Sequence, residues 1–363
     1  MRTAKELLVA SKEFAREYRW LSWWHLGSTF TVLAVLVAIA VSDLHWAIRA
    51  ASSVLSGLVG VRLFIIYHDF QHGAVLRDSR FAALLMSLYG VVMLNPPSAW
   101  NRSHDHHHKH NSKTFGASIG SFPIMTTETY ASASAAERFA YAAARHPLIM
   151  VLGYFTVFLW GMCLRPFLLN PRRHFDGAIS IVVHVGLLIY LGVLGLDIML
   201  FGLFVPSLLA SSLGAYLFYA QHNYPAAKLR LRSEWSHVEA ALHSSSYIAM
   251  GPLMNWFTGN IGYHHVHHLN ARIPFYRLPE AMASLKELQS PGTTSLRPVD
   301  IAACLRLKLW SPDKDQFVGV NGSQSGRATQ ETSIRKRTTQ EPTTRKPGAR
   351  RSEARDAATG KTA

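Results

Sequence analysis

Histidine is concentrated in three short windows of this 363-residue chain. Of 19 histidines, two lie in residues 68–72, five in 104–110 and four in 264–268. Neutral imidazole is a ligand that suits Zn, Cu, Fe and Ni. So many imidazoles in so few positions cannot all be packed core side chains. The windows therefore indicate metal chemistry before they indicate packing.

The spacing within the windows refines this interpretation. His68 and His72 are four residues apart, which places both on one face of a helix. The other two windows both contain the pattern HxxHH, formed by His104, His107 and His108 and by His264, His267 and His268. One window alone is also typical of a solvated His-rich segment. Together they offer more nitrogen ligands than one tetrahedral zinc uses, so the sequence predicts two metals.

The elements that must position these histidines are membrane helices. Only 16% of the residues are charged, against about 25% in ordinary globular proteins. Residues 21–42 carry no charge, and 22 residues of helix cross about 30 Å of hydrocarbon. The run is too long, and starts too late, for a signal peptide. Further apolar runs complete four predicted spans, at residues 21–42, 50–67, 179–196 and 199–219.

Two other apolar runs are predicted not to cross. Residues 81–94 are few for a span and end in Asn-Pro-Pro, which favours a re-entrant or interfacial helix. Residues 147–164 have arginine near both ends, which favours a segment that lies in the interface or dips and returns. A tight turn at Asp197 is expected between the last two spans.

The charges before the first span set the orientation. The cations that precede it include Lys5, Lys12, Arg16 and Arg19, so the positive-inside rule places the N-terminus in the cytoplasm. With four spans, all three windows then lie on the cytoplasmic face. We predict an all-α integral membrane protein with four transmembrane helices in two pairs, interfacial or re-entrant helices, and a cytoplasmic cap holding the histidine site.

Composition divides the chain into three segments. Residues 1–20 are expected to be a cytoplasmic N-terminal segment, 21–310 the membrane domain and 319–363 a disordered basic tail. The tail has ten Lys or Arg and four Asp or Glu, and we expect no nucleic-acid binding from it. Two cysteines cannot make a disulfide framework and are expected to be free thiols.

The boxes HxxxH, HxxHH and HxxHH, in this order and topology, resemble those of the integral-membrane fatty acid desaturases. The surrounding segments WNRSHDHHHKHNSK, YAQHN and WFTGNIGYHHVHHLNARIPFYRL are similar to the bacterial omega-6 (delta-12 type) acyl desaturases, over about residues 20–290. Front-end desaturases with a fused cytochrome b5 domain have Gln where this chain has His264. The chain also lacks their haem-binding HPGG stretch.

The resemblance implies a di-iron centre held by the eight box histidines and by His222 of YAQHN. His106, His110 and His265 lie outside the ligand positions, and we expect His106 and His265 to support the ligands. Asp69 is expected to accept a hydrogen bond from a ligand imidazole. His222 is nominated by the resemblance alone, because the family has a further histidine ligand after its last span. The spacing of the three boxes does not indicate it.

The implied activity is insertion of a cis double bond at the delta-12/omega-6 position of an acyl chain, with O2 and two external electrons. The substrate would be the acyl chain of a lipid or an acyl carrier, and the iron would cycle between Fe2+ and Fe3+. The sequence has no flavin, nicotinamide or iron–sulfur motif, so the electrons are expected from a partner such as ferredoxin. The expected location is the bacterial inner membrane, with the active site and both termini cytoplasmic.

Two alternative functions would use the same histidines. The first is a histidine-box di-iron hydroxylase or carotenoid oxygenase. The second, of another class, is a membrane metal transporter or metal-binding protein. Histidines confined to one face, and spans without paired intramembrane charges, disfavour transport.

Overall fold

Helices dominate the structure, a computed structural model that describes residues 2–113, 121–230 and 234–321. In chain order the α-helices are α1 Ala4–Ser11, α2 Arg19–Ala40, α3 Trp46–Gln71, α4 Arg80–Val92, α5 Pro97–His110, α6 Thr127–Ser132, α7 Ala135–Ala144, α8 Pro147–Val151, α9 Arg165–Leu169, α10 Phe175–Leu194, α11 Leu196–Met199, α12 Val205–Ala220, α13 His237–Ser244, α14 Pro252–Phe257, α15 His264–Leu269, α16 Leu278–Ser284 and α17 Pro298–Arg306.

Four of the described helical segments are long and apolar enough to cross a membrane. They are α2, α3, α10 and the continuous segment Leu196–Ala220, which joins α11 to α12. These bounds agree with the four predicted spans. The fold class is therefore confirmed as a mostly helical membrane protein, with α3 packed between α2 and α12.

The turn between the last two spans lies at Gly195, two residues before the predicted position. Asp197 instead lies in the first turn of α11, where its carboxylate pairs with Arg49 of α3 at 2.6 Å. Arg49 is near the N-terminal end of α3, whereas His68 is near its C-terminal end. The ion pair and the histidines thus mark opposite ends of the bundle.

The apolar run at residues 81–94, which lies mostly in α4, ends in a sharp bend. Helices α4 and α5 meet at 93° across Asn95 and Pro96. Proline lacks an N–H and disfavours helical geometry in the residue before it, so this dipeptide ends α4. The Tyr67 hydroxyl donates to the Asn95 carbonyl at 2.8 Å and fixes the bend against α3. The bend directs α5 and its histidines across the end of the bundle.

Two π-helical segments precede prolines. Residues Tyr154–Leu164 form one before Pro166, and Leu200–Phe204 form another before Pro206. A proline frees a carbonyl one turn earlier, and a wider turn is one way for the backbone to accommodate it. Residues 154–169 make an apolar helix shorter than a span, and the interfacial placement of 147–164 stays a prediction.

Short strands, which the sequence did not indicate, connect parts of the cap. Strands β1 (Met125–Thr126), β4 (Leu309–Ser311) and β5 (Gln316–Val318) form one sheet, and β2 (Tyr247–Ala249) pairs with β3 (Thr293–Ser295). The pair β1/β4 is parallel, as is β2/β3, whereas β4/β5 is antiparallel. Strand β2 also contacts the segment just before α15, because the Ile248 N–H donates a hydrogen bond to the Gly262 carbonyl at 2.8 Å.

The N-terminal segment packs on the cap. Leu7 and Phe14 are buried in the main apolar core. Arg2 pairs with Glu287 at 3.0 Å, and the hydroxyl of Tyr276 accepts from the Tyr18 backbone N–H at 3.0 Å. Both cysteines are free, as expected. The predicted tail lies, from residue 322 onward, outside the described residues, so its disorder and the three domain boundaries stay predictions.

Candidate metal centre

The histidines converge because four segments end or run at one end of the bundle. The last turn of α3 carries His68 and His72, and α5 crosses nearby with the second window. His222 lies two residues after the end of α12, and the third window lies in α15. The structure brings together all nine histidines that the sequence nominated as ligands, in two groups. That these groups bind metal stays a prediction at this point.

The HxxHH spacing explains how the histidines divide. Successive residues of a helix are about 100° apart, so positions i and i+4 share a face while i+3 points elsewhere. On α5, His104 and His108 face the first group and His107 faces the second. On α15, His264 and His268 face the second group and His267 faces the first. Each HxxHH box therefore supplies a pair to one group and a single imidazole to the other, whereas His68 and His72 both belong to the first group.

The first group has five histidines whose candidate ligand nitrogens lie within 4.8 Å of one another, namely His68, His72, His104, His108 and His267. Neighbouring Nε2 atoms are closer. They are 3.0 Å apart between His104 and His72, 3.1 Å between His108 and His104, and 3.1 Å between His267 and His108.

The second group has four histidines within the same limit, namely His107, His222, His264 and His268. The Nε2 atom of His222 lies 2.9 Å from that of His107 and 3.0 Å from that of His264. The Nε2 atoms of His107 and His268 are 3.3 Å apart. Neither group includes a carboxylate among the described residues, so the donor set is all nitrogen.

These spacings fit metal coordination. Two nitrogens bound to one ion at about 2.0–2.1 Å, at tetrahedral to octahedral angles, lie about 2.9–3.4 Å apart. The His222 Nδ1 must donate its proton, because its partner at 3.0 Å is the Ser244 carbonyl oxygen. The Nε2 of His222 then presents only a lone pair to two other imidazoles. A cation among these nitrogens would stabilise that arrangement.

Asp69 holds the first group in place. Its Oδ1 accepts from His68 Nδ1 at 3.0 Å, and its Oδ2 accepts from the Phe275 N–H at 2.6 Å. The carboxylate thus fixes the ring of a clustered histidine and ties α3 to the segment after α15. This is the contact that the sequence predicted for Asp69, and it leaves the His68 Nε2 facing the group.

Two hydrogen bonds that orient rings of the second group were not predicted from the sequence. His107 Nδ1 is 2.8 Å from the Ser121 hydroxyl, and His222 Nδ1 donates to Ser244, as described above. Ser121 lies outside every histidine box, and Ser244 acts through its backbone. Neither position carries a sequence signal, because a serine near a box and a carbonyl are unremarkable in any chain.

Burial keeps the clustered imidazoles neutral, which ligation requires. It lowers the pKa of His222 to about 4, although the hydrogen bond to Ser244 acts in the opposite direction. Burial, followed by the charges of neighbouring imidazoles, also holds six further pKa values well below the usual value, those of His104, His107, His108, His264, His267 and His268. At neutral pH these nitrogens therefore offer lone pairs.

Three histidines of the second and third windows belong to neither group, namely His106, His110 and His265. His106 and His110 stack on each other with ring centroids 3.9 Å apart. His265 is fully buried, and its Nε2 donates to the Leu288 carbonyl at 3.1 Å, which ties α15 to the segment that follows α16. The predicted supporting roles of His106 and His265 stay predictions, but the two residues have very different surroundings.

We therefore expect His265→Ala and His106→Ala to differ in stability. His265→Ala removes a buried ring and leaves the Leu288 carbonyl unpaired, which costs about 2–5 kcal/mol of unfolding free energy. His106→Ala, at a half-buried position, should cost less than about 1 kcal/mol. Thermal unfolding of the two purified variants in one detergent measures the difference. Equal melting temperatures would contradict this account of α15.

A cavity of about 450 Å³ opens onto both groups. His68 and His104 of the first group and His264 of the second form one part of its wall. Most of the remaining wall is apolar, including Phe158 and Leu217. A mainly apolar cavity of this size is typical of a small-molecule site. The arrangement suits a hydrocarbon substrate held beside a nitrogen-ligated metal pair.

Comparison with known proteins identifies the family. The sequence profile of the family described as fatty acid desaturase matches residues 44–297, which include all nine clustered histidines. A fatty acid desaturase of Bacillus subtilis (strain 168) is 31% identical over 287 residues, covering 76% of this chain and 78% of that protein.

More distant relatives are also desaturases. An sn-1 oleoyl-lipid 12-desaturase of Synechocystis sp. (strain ATCC 27184 / PCC 6803 / Kazusa) is 26% identical, with 72% of this chain and 76% of that protein covered. A chloroplastic omega-3 fatty acid desaturase of Brassica napus is 24% identical, with 83% and 77% covered. With histidine groups at the end of an apolar cavity and matches over most of its length, this chain belongs to the fatty acid desaturase family and is an oxidoreductase that desaturates fatty acyl chains.

Proposed function

We propose that this enzyme inserts a cis double bond at the delta-12/omega-6 position of a lipid-bound acyl chain. The observation that carries the proposal is the apolar cavity whose wall includes members of both histidine groups. The regiochemistry is supported by the name of the Synechocystis relative, an sn-1 oleoyl-lipid 12-desaturase.

The nine clustered histidines would hold two iron ions, one in each group. Their all-nitrogen donor set, their spacing and their neutral state support this assignment. Bound iron would supply the redox chemistry and O2 activation that an unactivated C–H bond requires, since no side chain provides them. Asp69, Ser121 and the Ser244 carbonyl would fix the ligand rings, as their contacts with Nδ1 atoms indicate.

The reaction converts two adjacent methylenes into a cis alkene. It consumes O2, two electrons and two protons, and it releases two molecules of water. The protein binds the chain along apolar walls that offer little beyond shape to distinguish one methylene from the next. Position is therefore set by how far the chain extends past the histidine groups. Burial of the groups excludes bulk water from the reacting carbons.

The electrons would come from an external one-electron carrier such as ferredoxin, because the sequence has no redox cofactor motif of its own. We also propose that the histidine groups face the cytoplasm across a bacterial inner membrane. The cationic N-terminal segment supports this orientation, since it packs on the same cap as the histidines and the positive-inside rule places it in the cytoplasm.

Fatty-acid profiling tests the proposal directly. The chain is expressed in a host that makes only saturated and monounsaturated fatty acids, and the methyl esters are resolved by gas chromatography and mass spectrometry. We expect oleate to gain a second cis double bond at carbon 12, as the name of the Synechocystis relative suggests. The double variant His104→Ala/His264→Ala should give no such product. A new double bond only at another carbon would refute the proposed regiochemistry.

A further inference from the structure

Two arginines lie on the wall of the acyl cavity without protein partners. Arg102 belongs to α5 and Arg165 begins α9, and both are exposed residues that line the cavity. Within residues 2–113, 121–230 and 234–321, neither guanidinium forms a hydrogen bond or an ion pair. They bring two unneutralised positive charges to a wall that is otherwise mainly apolar.

No acidic residue offsets these charges among the described residues that line the cavity. Asp176, on the neighbouring α10, is negatively charged but does not line the cavity and pairs with neither arginine. Its carboxylate accepts from the Ser98 N–H at 2.9 Å and from the Ser98 hydroxyl at 2.5 Å. Asn170 lines the same cavity and adds a further exposed polar group. This part of the cavity therefore has the charge expected of an anion site.

The surface beside the arginines is apolar. Leu168 and Leu169 of α9 are 59% and 71% exposed, and Phe175 at the start of α10 is 61% exposed. Leu169 also lines the cavity. Arginines next to exposed leucine and phenylalanine are typical of the membrane interface, where the charged ends reach the headgroups. This surface is therefore suited to a ligand that enters from the bilayer.

We propose that Arg102 and Arg165 bind the phosphate of a membrane glycerophospholipid whose acyl chain occupies the cavity. Guanidinium groups match phosphate oxygens with paired hydrogen bonds, and the phosphate of a phospholipid lies just beyond its acyl ester. The two arginines thereby select the acyl carrier and set the depth of the chain. This inference rests on the proposed acyl-lipid desaturation.

The test compares substrates that share oleoyl chains and differ in their head. The iron-loaded enzyme in mixed micelles receives dioleoylphosphatidylglycerol, the neutral dioleoylglycerol or oleoyl-CoA. The variants are Arg102→Gln/Arg165→Gln, the charge-conserving Arg102→Lys/Arg165→Lys, and the matched control Arg172→Gln/Arg173→Gln. Arg172 and Arg173 are exposed arginines of the same region that do not line the cavity.

In the Arg102→Gln/Arg165→Gln variant, KM for the phospholipid should rise by about tenfold or more with little change in kcat, because charge-assisted hydrogen bonds are lost. KM for dioleoylglycerol should not change. The lysine variant should be intermediate, and the control should behave as wild type. Both purified variants are also washed with detergent to remove loosely bound lipid. Mass spectrometry should then find less phospholipid bound to the Arg102→Gln/Arg165→Gln variant than to the control.

An unchanged phospholipid KM in the glutamine variant would overturn the inference. So would an equal rise in the control, or a rise confined to oleoyl-CoA, which would assign the arginines to a soluble carrier. A wild-type enzyme that desaturates none of the three substrates would instead refute the proposed function, and this inference with it.

Discussion

Single replacement of His104 or His264 by alanine is expected to reduce desaturation to below about a hundredth of wild type. Even residues that only orient metal ligands typically contribute about 10–100-fold, and these two would be direct ligands. His104 belongs to the first group and His264 to the second, so the two variants test the groups separately. Product formation per folded protein and iron content are measured together.

His45→Asn is the matched control for these variants. His45 is an exposed histidine at the start of α3, away from both groups, where its ring accepts from the Ala47 N–H. Asparagine keeps an acceptor at this helix cap, so activity should stay near that of wild type. Substantial activity in His104→Ala or His264→Ala, with full iron content, would remove that histidine from the ligand set.

Gly214→Leu is expected to lower kcat/KM for an oleoyl lipid by at least about tenfold while leaving iron content unchanged. Gly214 lines the cavity, and the nearest atom to an added Cβ is Phe158 Cζ at 3.9 Å. An added Cβ therefore meets no backbone atom, and the rest of a leucine side chain would occupy space that the acyl chain would use. A single methylene misfit in an apolar pocket already costs about 10–200-fold in specificity.

Gly186→Leu provides the comparison for the cavity variant. Gly186 lies in α10, has nothing within 4 Å of an added Cβ, and is not part of the cavity wall. This variant should retain activity on the same lipid. If Gly214→Leu were as active as Gly186→Leu, the acyl chain would lie somewhere other than this cavity.

The membrane sector was predictable because its signals are long and local. A run of 22 uncharged residues has few alternatives to a span, and the four predicted spans agree with α2, α3, α10 and Leu196–Ala220. The division of each HxxHH box follows from helical geometry, once the boxes are known to be helical. The turn was predicted at Asp197 but lies at Gly195, because α11 begins at Leu196 and Asp197 is already helical.

Other features depend on contacts that no local pattern encodes. The strands are two or three residues long, and β1 pairs with β4 although two membrane-spanning segments lie between them in sequence. Ser121 reaches His107 only through the folded chain. Arg102 and Arg165 are far apart in sequence, and only the fold places both on the wall of one cavity. Such features need the tertiary structure.

The most direct test of the account is the iron content and coordination of the purified enzyme. Metal analysis, with X-ray absorption at the iron edge, should find two irons per folded chain, one for each histidine group, with first shells dominated by imidazole nitrogen. Activity should rise in proportion to iron occupancy. An active enzyme with only one iron per chain, or with another metal in its place, would contradict the account.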